Sequence, residues 1–198
     1  MFGYSQINHE VFIVTKALPA NVGAALETNT RICRLNELTP REWAQIRKLQ
    51  GRRAVLYLRL RYGSADTYIL LSYVGEEPAH IEWIVPASKI RGRYPFVTKD
   101  SYSIISCLTA HSFRGLGIYP SQIRRVVESD IPARMFWIWT ASTNTPSLKG
   151  IRKAGGAKVG ELVQKKWFWG CISHIEYLPK GSKSEWQKMD YVLKEWGK

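Results

Sequence analysis

Residues 103–128, SIISCLTAHSFRGLGIYPSQIRRVVE, restrict this chain more than any other stretch. Residues 102–109 are rich in Ile, Leu, Cys and Thr and read as a buried strand. Arg114, Gly115, Leu116 and Gly117 make a tight glycine loop. A helix opens near Ile118. Pro120 suits its first turn, where a missing N–H is no loss, and Ile123, Val126 and Val127 recur at helical spacing. A strand that feeds a helix through so short a loop predicts α/β architecture.

Such a loop has a chemical use. The first turn of a helix leaves backbone N–H groups unpaired and carries partial positive charge. Glycines ahead of it let a phosphate or pyrophosphate come close. The loop lacks the Lys-Ser/Thr ending of a P-loop, and its glycines are not spaced as in the dinucleotide fingerprint.

A second stretch narrows the reading. Residues 144–156, NTPSLKGIRKAGG, place Asn144, Ser147, Lys153 and Gly155 at set intervals. The two stretches together resemble the signatures of the GNAT N-acetyltransferases. That family writes Arg or Gln, two residues, Gly, one residue, then Gly or Ala after a central strand. Arg114 and Gly117 fall in register, and Tyr119 stands at the last place. The later signature is an Asn, a small residue three on, and a helix ending Lys-x-Gly. Ile151 occupies the place where many members carry a tyrosine that protonates the leaving thiolate, and Gly156 replaces an aromatic. The resemblance spans roughly residues 31–170.

The resemblance implies a central mixed, mostly antiparallel sheet flanked by helices on both faces. It implies acetyl-CoA as co-substrate and no metal. Arg114, Gly115, Leu116, Gly117, Ile118 and Tyr119 would hold the pyrophosphate, and Cys107, Leu108 and Thr109 would pair with the pantetheine arm. The arm would lie where strands 102–109 and 135–140 splay apart. Asn144 and Ser147 would add a contact to the cofactor or to an ordered water. Members often place a base on a central strand, and Glu82 is the match. Period-2 alternation puts His80 on the same strand face, a candidate relay. His111, just before the loop, is a further candidate near the thioester. The acceptor would be an amine-bearing small molecule. Alternatives are aminoacyl-tRNA or protein as acceptor, or a catalytically silent acyl-CoA-binding module.

Charge fits a polyanionic ligand. Lys and Arg number 29 against 16 Asp and Glu, a net +13, and such a field attracts phosphates. The cations are scattered rather than run together, so nucleic acid is a possible partner but not the favoured one. Cys33, Cys107 and Cys171 show no CxxC or Cys/His spacing that would suggest zinc, and each sits in an apolar context. Three unpaired cysteines point to a reducing, cytoplasmic setting. No signal peptide is expected at the N-terminus, and no apolar run reaches membrane-spanning length.

Taken in order, one domain is expected over 1–198. Residues 10–17 read as a strand and 18–30 as a connecting loop. A strand at 31–35 leads into a helix that opens on Thr39, Pro40 and Glu42, a capping box. Residues 53–62 fit both periods, with helix preferred. Strands at 67–74 and 79–85 are joined by a turn at 75–78, and a loop follows at 86–100. The helix after strand 135–140 is expected to cap at Thr145 and end at Gly155 and Gly156. Strands follow near 157–169 and 171–177. A C-terminal amphipathic helix over 184–198, with Trp186, Met189, Leu193 and Trp196 on one side, hints at a homodimer.

Overall fold

The computed structural model describes residues 5–167 and 172–180. Eight strands form one sheet in the order β2-β3-β4-β5-β6-β1-β7-β8. In chain order they are β1 (Ser5–Val14), β2 (Asn29–Arg34), β3 (Tyr68–Val74), β4 (Glu77–Pro86), β5 (Tyr102–Thr109), β6 (Phe136–Ala141), β7 (Ala157–Trp167) and β8 (Ile172–Pro179). The helices are α1 (Pro40–Gln50), α2 (Arg52–Tyr62), the short α3 (Ala87–Ile90), α4 (Ile118–Glu128) and α5 (Thr145–Lys153). Among the described residues only β5 and β6 pair in parallel; every other pair is antiparallel.

Alternation along the strands gives the sheet two apolar faces. Ile81, Trp83 and Val85 of β4 pack with Ile46 of α1, Val55 and Leu58 of α2, and Ile90 of α3. Ile84 of β4 and Ile104 of β5 pack with Ile123, Val126 and Val127 of α4 and Leu148 and Ile151 of α5. Burying a large aliphatic side chain is worth about 1.5–3 kcal/mol. That apolar face therefore holds an 11-residue helix such as α4 more than intrinsic propensity does.

The ambiguous stretch is helical, and Leu56 and Leu60, which alternation would have buried, lie on its exposed side. α1 opens on the expected capping box: the Glu42 N–H donates to the Thr39 hydroxyl, and the Thr39 N–H donates to the Glu42 carboxylate. Burial alone would raise the Glu42 pKa. The N–H and hydroxyl of Thr39 and the Arg31 guanidinium outweigh it and hold the carboxyl below its ordinary value.

Three expectations shift. β1 reaches from Ser5 and stops at Val14, because it is an inner strand paired with β7 over Ser5–Ile13 and with β6 over His9–Val14. The turn after β3 is tighter, and Pro78 lies inside β4 at a register shift, where its missing N–H is tolerated. Asn144, not Thr145, caps α5, with its Oδ1 accepting from the Ser147 N–H at 3.3 Å. The expected C-terminal helix, its homodimer hint and Cys171 lie outside the described residues.

Candidate active site

The site begins where two strands part. β5 and β6 are in register only at Tyr102 with Phe136 and Ser103 with Trp137. Past those pairs the strands diverge, and β5 runs on to Thr109 bonded on its other side to β4. Within that run β5 bulges. His80 faces Thr109, Ile81 faces Leu108 and Trp83 faces Ile105, so Ser106 and Cys107 together span Glu82. Ser106 has φ +51°, an uncommon conformation for a residue with a side chain. Gln50, the last residue of α1, fixes the bulge. Its Nε2 donates to the Ser106 carbonyl at 2.7 Å, and its Oε1 accepts from the Trp83 indole N–H at 2.9 Å.

The gap is bounded by α4. His111 lies in a single 3-10 turn after β5, its side chain exposed. The glycine loop follows. Gly117 (φ +75°) delivers the chain into α4, whose N-terminus has no side-chain cap. The Arg114 Nε–H donates to the Thr109 carbonyl at 3.2 Å, tying the loop to the end of β5. Behind the loop runs a strap, residues 15–28. The Leu26 N–H donates to the Leu116 carbonyl at 2.9 Å. The Arg124 guanidinium donates to the Thr15 carbonyl at 3.0 Å, and Gln122 Nε2 donates to the Thr28 hydroxyl at 3.0 Å. A Cβ on Gly117 would lie 2.9 Å from the Ala24 carbonyl oxygen and 3.0 Å from Ala25 Cα.

Under the first turn of α4 lies a polar cluster in an otherwise apolar layer. His80 and Glu82 are both fully buried. His80 Nε2 is 2.9 Å from Glu82 Oε1, and His80 Nδ1 is 2.7 Å from the Thr109 hydroxyl. Thr109 is half-buried, so the chain Glu82–His80–Thr109 runs from the interior to the open end of β5. Glu82 Oε2 has no hydrogen-bond partner among the described residues. The Tyr119 ring lies 5.8 Å from the His80 ring. Its hydroxyl and the Cys107 thiol are near enough to shift one another's ionisation. Burial is the main cause that raises both the Cys107 thiol and the Tyr119 phenol well above their ordinary pKa values; each is raised further by the nearby Glu82 and, for the phenol, by Cys107. Both groups therefore hold their protons at neutral pH.

The glycine loop, Thr109, Cys107, His80 and Glu82 thus come together around one opening, while His111 stands outside the hydrogen-bonded cluster. Leu108 points to the other face of the sheet and packs beside the α1–α2 core. Ile151 is fully buried in the α4–α5 core. Tyr119 can occupy a place where the resemblance calls for a small residue because α5 makes room for it: a Cβ on Gly150 would lie 2.5 Å from Tyr119 Cδ1. Sequence reasoning missed Gln50 and the Ser106 bulge. The only signal for either was a glutamine before Gly51 and a serine within an apolar strand. Among the described residues no group of three His, Cys, Asp or Glu could hold a metal ion, and no helix is long and apolar enough to cross a membrane.

No known family profile matches the sequence, and no curated protein does. Solved structures do match in shape. A conserved protein of unknown function from Staphylococcus epidermidis aligns at TM-score 0.60 with 14% identity, covering 87% of this chain and 62% of that one. A GNAT-family acetyltransferase from Colwellia psychrerythraea aligns at 0.56 with 14% identity, covering 84% and 57%. A GCN5-related N-acetyltransferase from Sphaerobacter thermophilus aligns at 0.56 with 14% identity, covering 83% and 53%. The chain spans less than two thirds of the length of each of these structures. It has the GNAT N-acetyltransferase fold: a mixed, mostly antiparallel sheet with helices on both faces.

Proposed function

We propose that this protein is an acetyl-CoA-dependent N-acetyltransferase that moves an acetyl group directly to a primary amine of a small molecule. The observation that carries the reading is the parting of β5 from β6 beside an uncapped α4 N-terminus. It combines an extended backbone edge, suited to an amide-bearing arm, with a helix end suited to a pyrophosphate. The residues present fit that co-substrate. The backbone of 115–119 and the exposed Arg114 would hold the pyrophosphate, and the backbone of Cys107, Leu108 and Thr109 the arm. Asn144 and Ser147 are committed to the α5 cap and would contribute from that position.

The transfer forms a C–N bond and breaks a C–S bond. It needs a group to take the surplus proton of the amine and one to protonate the departing sulfur. Glu82–His80–Thr109 supplies the first role. With Nε2–H donating to Glu82, Nδ1 of His80 accepts the Thr109 hydroxyl proton, and Thr109 is the member that reaches the opening. The proton then passes from the amine to Thr109 and on to His80, with Glu82 stabilising the charge that develops. Tyr119, whose ring lies 5.8 Å from the His80 ring at the start of α4, is the candidate for the second role in place of Ile151. His111 is exposed beside the loop and remains the alternative base.

Titration calorimetry of acetyl-CoA into the wild type and into Leu116→Asp tests the reading. Leu116 is 45% exposed, so the substitution places a carboxylate at the cradle without disturbing the core. Binding to the wild type with at least tenfold loss in the variant is expected. Absence of binding to the wild type would sink the reading.

A further inference from the structure

β5 exchanges its two faces partway along its length. In the first half, even-numbered residues face α4. Tyr102 and Ile104 pack in the α4–α5 core, with Ile104 opposite Ile84, while Ile105 packs beside the α1–α2 core opposite Trp83. In the second half, odd-numbered residues face α4. Cys107 packs beside the α4–α5 core and Thr109 meets His80, while Leu108 packs beside the α1–α2 core opposite Ile81. A regular strand cannot do this, because its side chains alternate with period 2 and one extra residue reverses every side chain beyond it. The extra residue is at the bulge, where Ser106 and Cys107 span Glu82. With the phase of the first half carried through, Ser106 and Leu108 would face α4, and Thr109 would point to the other side of the sheet, away from His80.

The phase of the strand end therefore depends on what holds the bulge. Ser106 at φ +51° sits in a region that residues with a Cβ avoid unless their surroundings impose it. Gln50 imposes it, and its amide has only one workable orientation. The Trp83 indole N–H can only donate and takes Oε1 at 2.9 Å; the Ser106 carbonyl can only accept and takes Nε2 at 2.7 Å. Nε2 also lies 3.3 Å from Ser106 Oγ. Trp83 is fully buried, so the far end of this clamp is anchored in the core.

We infer that Gln50 is a positioning residue: by holding Ser106 in its left-handed conformation it sets the phase of Cys107, Leu108 and Thr109, and so delivers the Thr109 hydroxyl to His80 Nδ1. It acts from the end of α1, across the sheet from the α4 cradle, and through the strand backbone. Its consequence for turnover rests on the acetyltransferase reading, in which Thr109 receives the proton of the amine. Its effect on the His80–Thr109 hydrogen bond does not depend on that reading.

The test is the ring-nitrogen NMR spectrum of the full chain carrying isotope-labelled histidine, with His80 assigned by the signals lost in His80→Gln. Thr109→Val removes the hydroxyl and defines the Nδ1 signal of a His80 without that partner. Gln50→Met, close to glutamine in length but without the amide, should show the same displaced signal. Adding Ser106→Gly to Gln50→Met should return the signal toward the wild-type position, because glycine takes a positive φ without a clamp. A wild-type His80 signal in Gln50→Met overturns the inference. A displaced signal that Ser106→Gly leaves unmoved also overturns it, since the amide would then act by packing rather than by holding φ. Gln50→Asn, too short to span both partners, replaces Gln50→Met if the latter does not fold, and is read in the same way. Acetyl-CoA is titrated into the wild type in parallel. Absence of binding there would remove the acetyltransferase reading, while the His80 spectra alone decide the role of Gln50.

Discussion

α4 and α2 each begin immediately after a positive-φ glycine, and neither N-terminus has a side-chain cap. The surroundings differ. Gly117 is pressed against the strap, with Ala24 and Ala25 backbone atoms where a Cβ would stand. Gly51 has nothing within 4 Å of that place. Beneath α4 lies the buried pair Glu82–His80 with half-buried Thr109 at its end; in the first turn of α2 stand Arg52 and Arg53, exposed and without an ion pair among the described residues. The α4 end is made by packing, so changes there should damage the fold and the chemistry together. The α2 end is made by charge at the surface, so changes there should leave the fold intact or better.

The largest expected effect is at the centre of the α4 side. Glu82→Ala removes the partner of a fully buried histidine and leaves a void, and should cost about 2–5 kcal/mol of stability in urea unfolding. Glu82→Gln keeps the shape and should cost clearly less while still impairing turnover. Equal stability of Glu82→Ala and the wild type would break the comparison, because the cluster would then contribute nothing to packing. Gly117→Ala comes next. It imposes a left-handed conformation on a residue with a Cβ and drives that Cβ into strap backbone, for an expected loss of about 2–4 kcal/mol. Gly117 is therefore a poor reporter of cofactor binding, since its loss would loosen the strap regardless of ligand.

Much of the α4 side could be read from the sequence because its signals are local. The strand, the glycine pair and the period of Ile123, Val126 and Val127 lie within one continuous stretch, and His80 and Glu82 share a strand face by alternation alone. What could not be read depends on distant residues. Nothing in residues 5–14 announces an inner strand between β6 and β7, and nothing in residues 15–28 announces a strap over Gly117. Tyr119 looked out of place at the loop because its complement, Gly150, is supplied by another helix. The α2 side was ambiguous for a different reason. RRAVLYLRLR satisfies both periods, and the choice is made by Val55 and Leu58 packing under α1 and α3 while Leu56 and Leu60 stay in solvent.

Alkaline pH should act on the buried thiols, Cys107 on the α4 side among them. The Cys107 thiol is held well above its ordinary value of 9.0, chiefly by burial and then by the nearby Glu82. The unfolded chain ionises this group near 9 and the folded chain does not. Its contribution is therefore fully present below pH 9 and is lost as pH rises beyond it, by about 1 kcal/mol between pH 9 and 10. Cys107→Ala should flatten that part of the stability curve, measured by urea midpoints at the two pH values. A variant whose midpoint falls as steeply as the wild type's would show that Cys107 is not held neutral by its surroundings.

The smallest effect has the opposite sign and is the sharpest test of the difference. Arg52 stands in the first turn of α2, where a cation opposes the positive end of the helix. Arg52→Glu places a carboxylate there instead and should raise stability by about 0.3–1 kcal/mol at low ionic strength, with the gain fading as salt is added. Arg52 makes no ion pair among the described residues, and its place is exposed, so nothing is broken by the exchange. A destabilised Arg52→Glu variant would mean that the guanidinium supports the fold, and the contrast between the two helix ends would disappear.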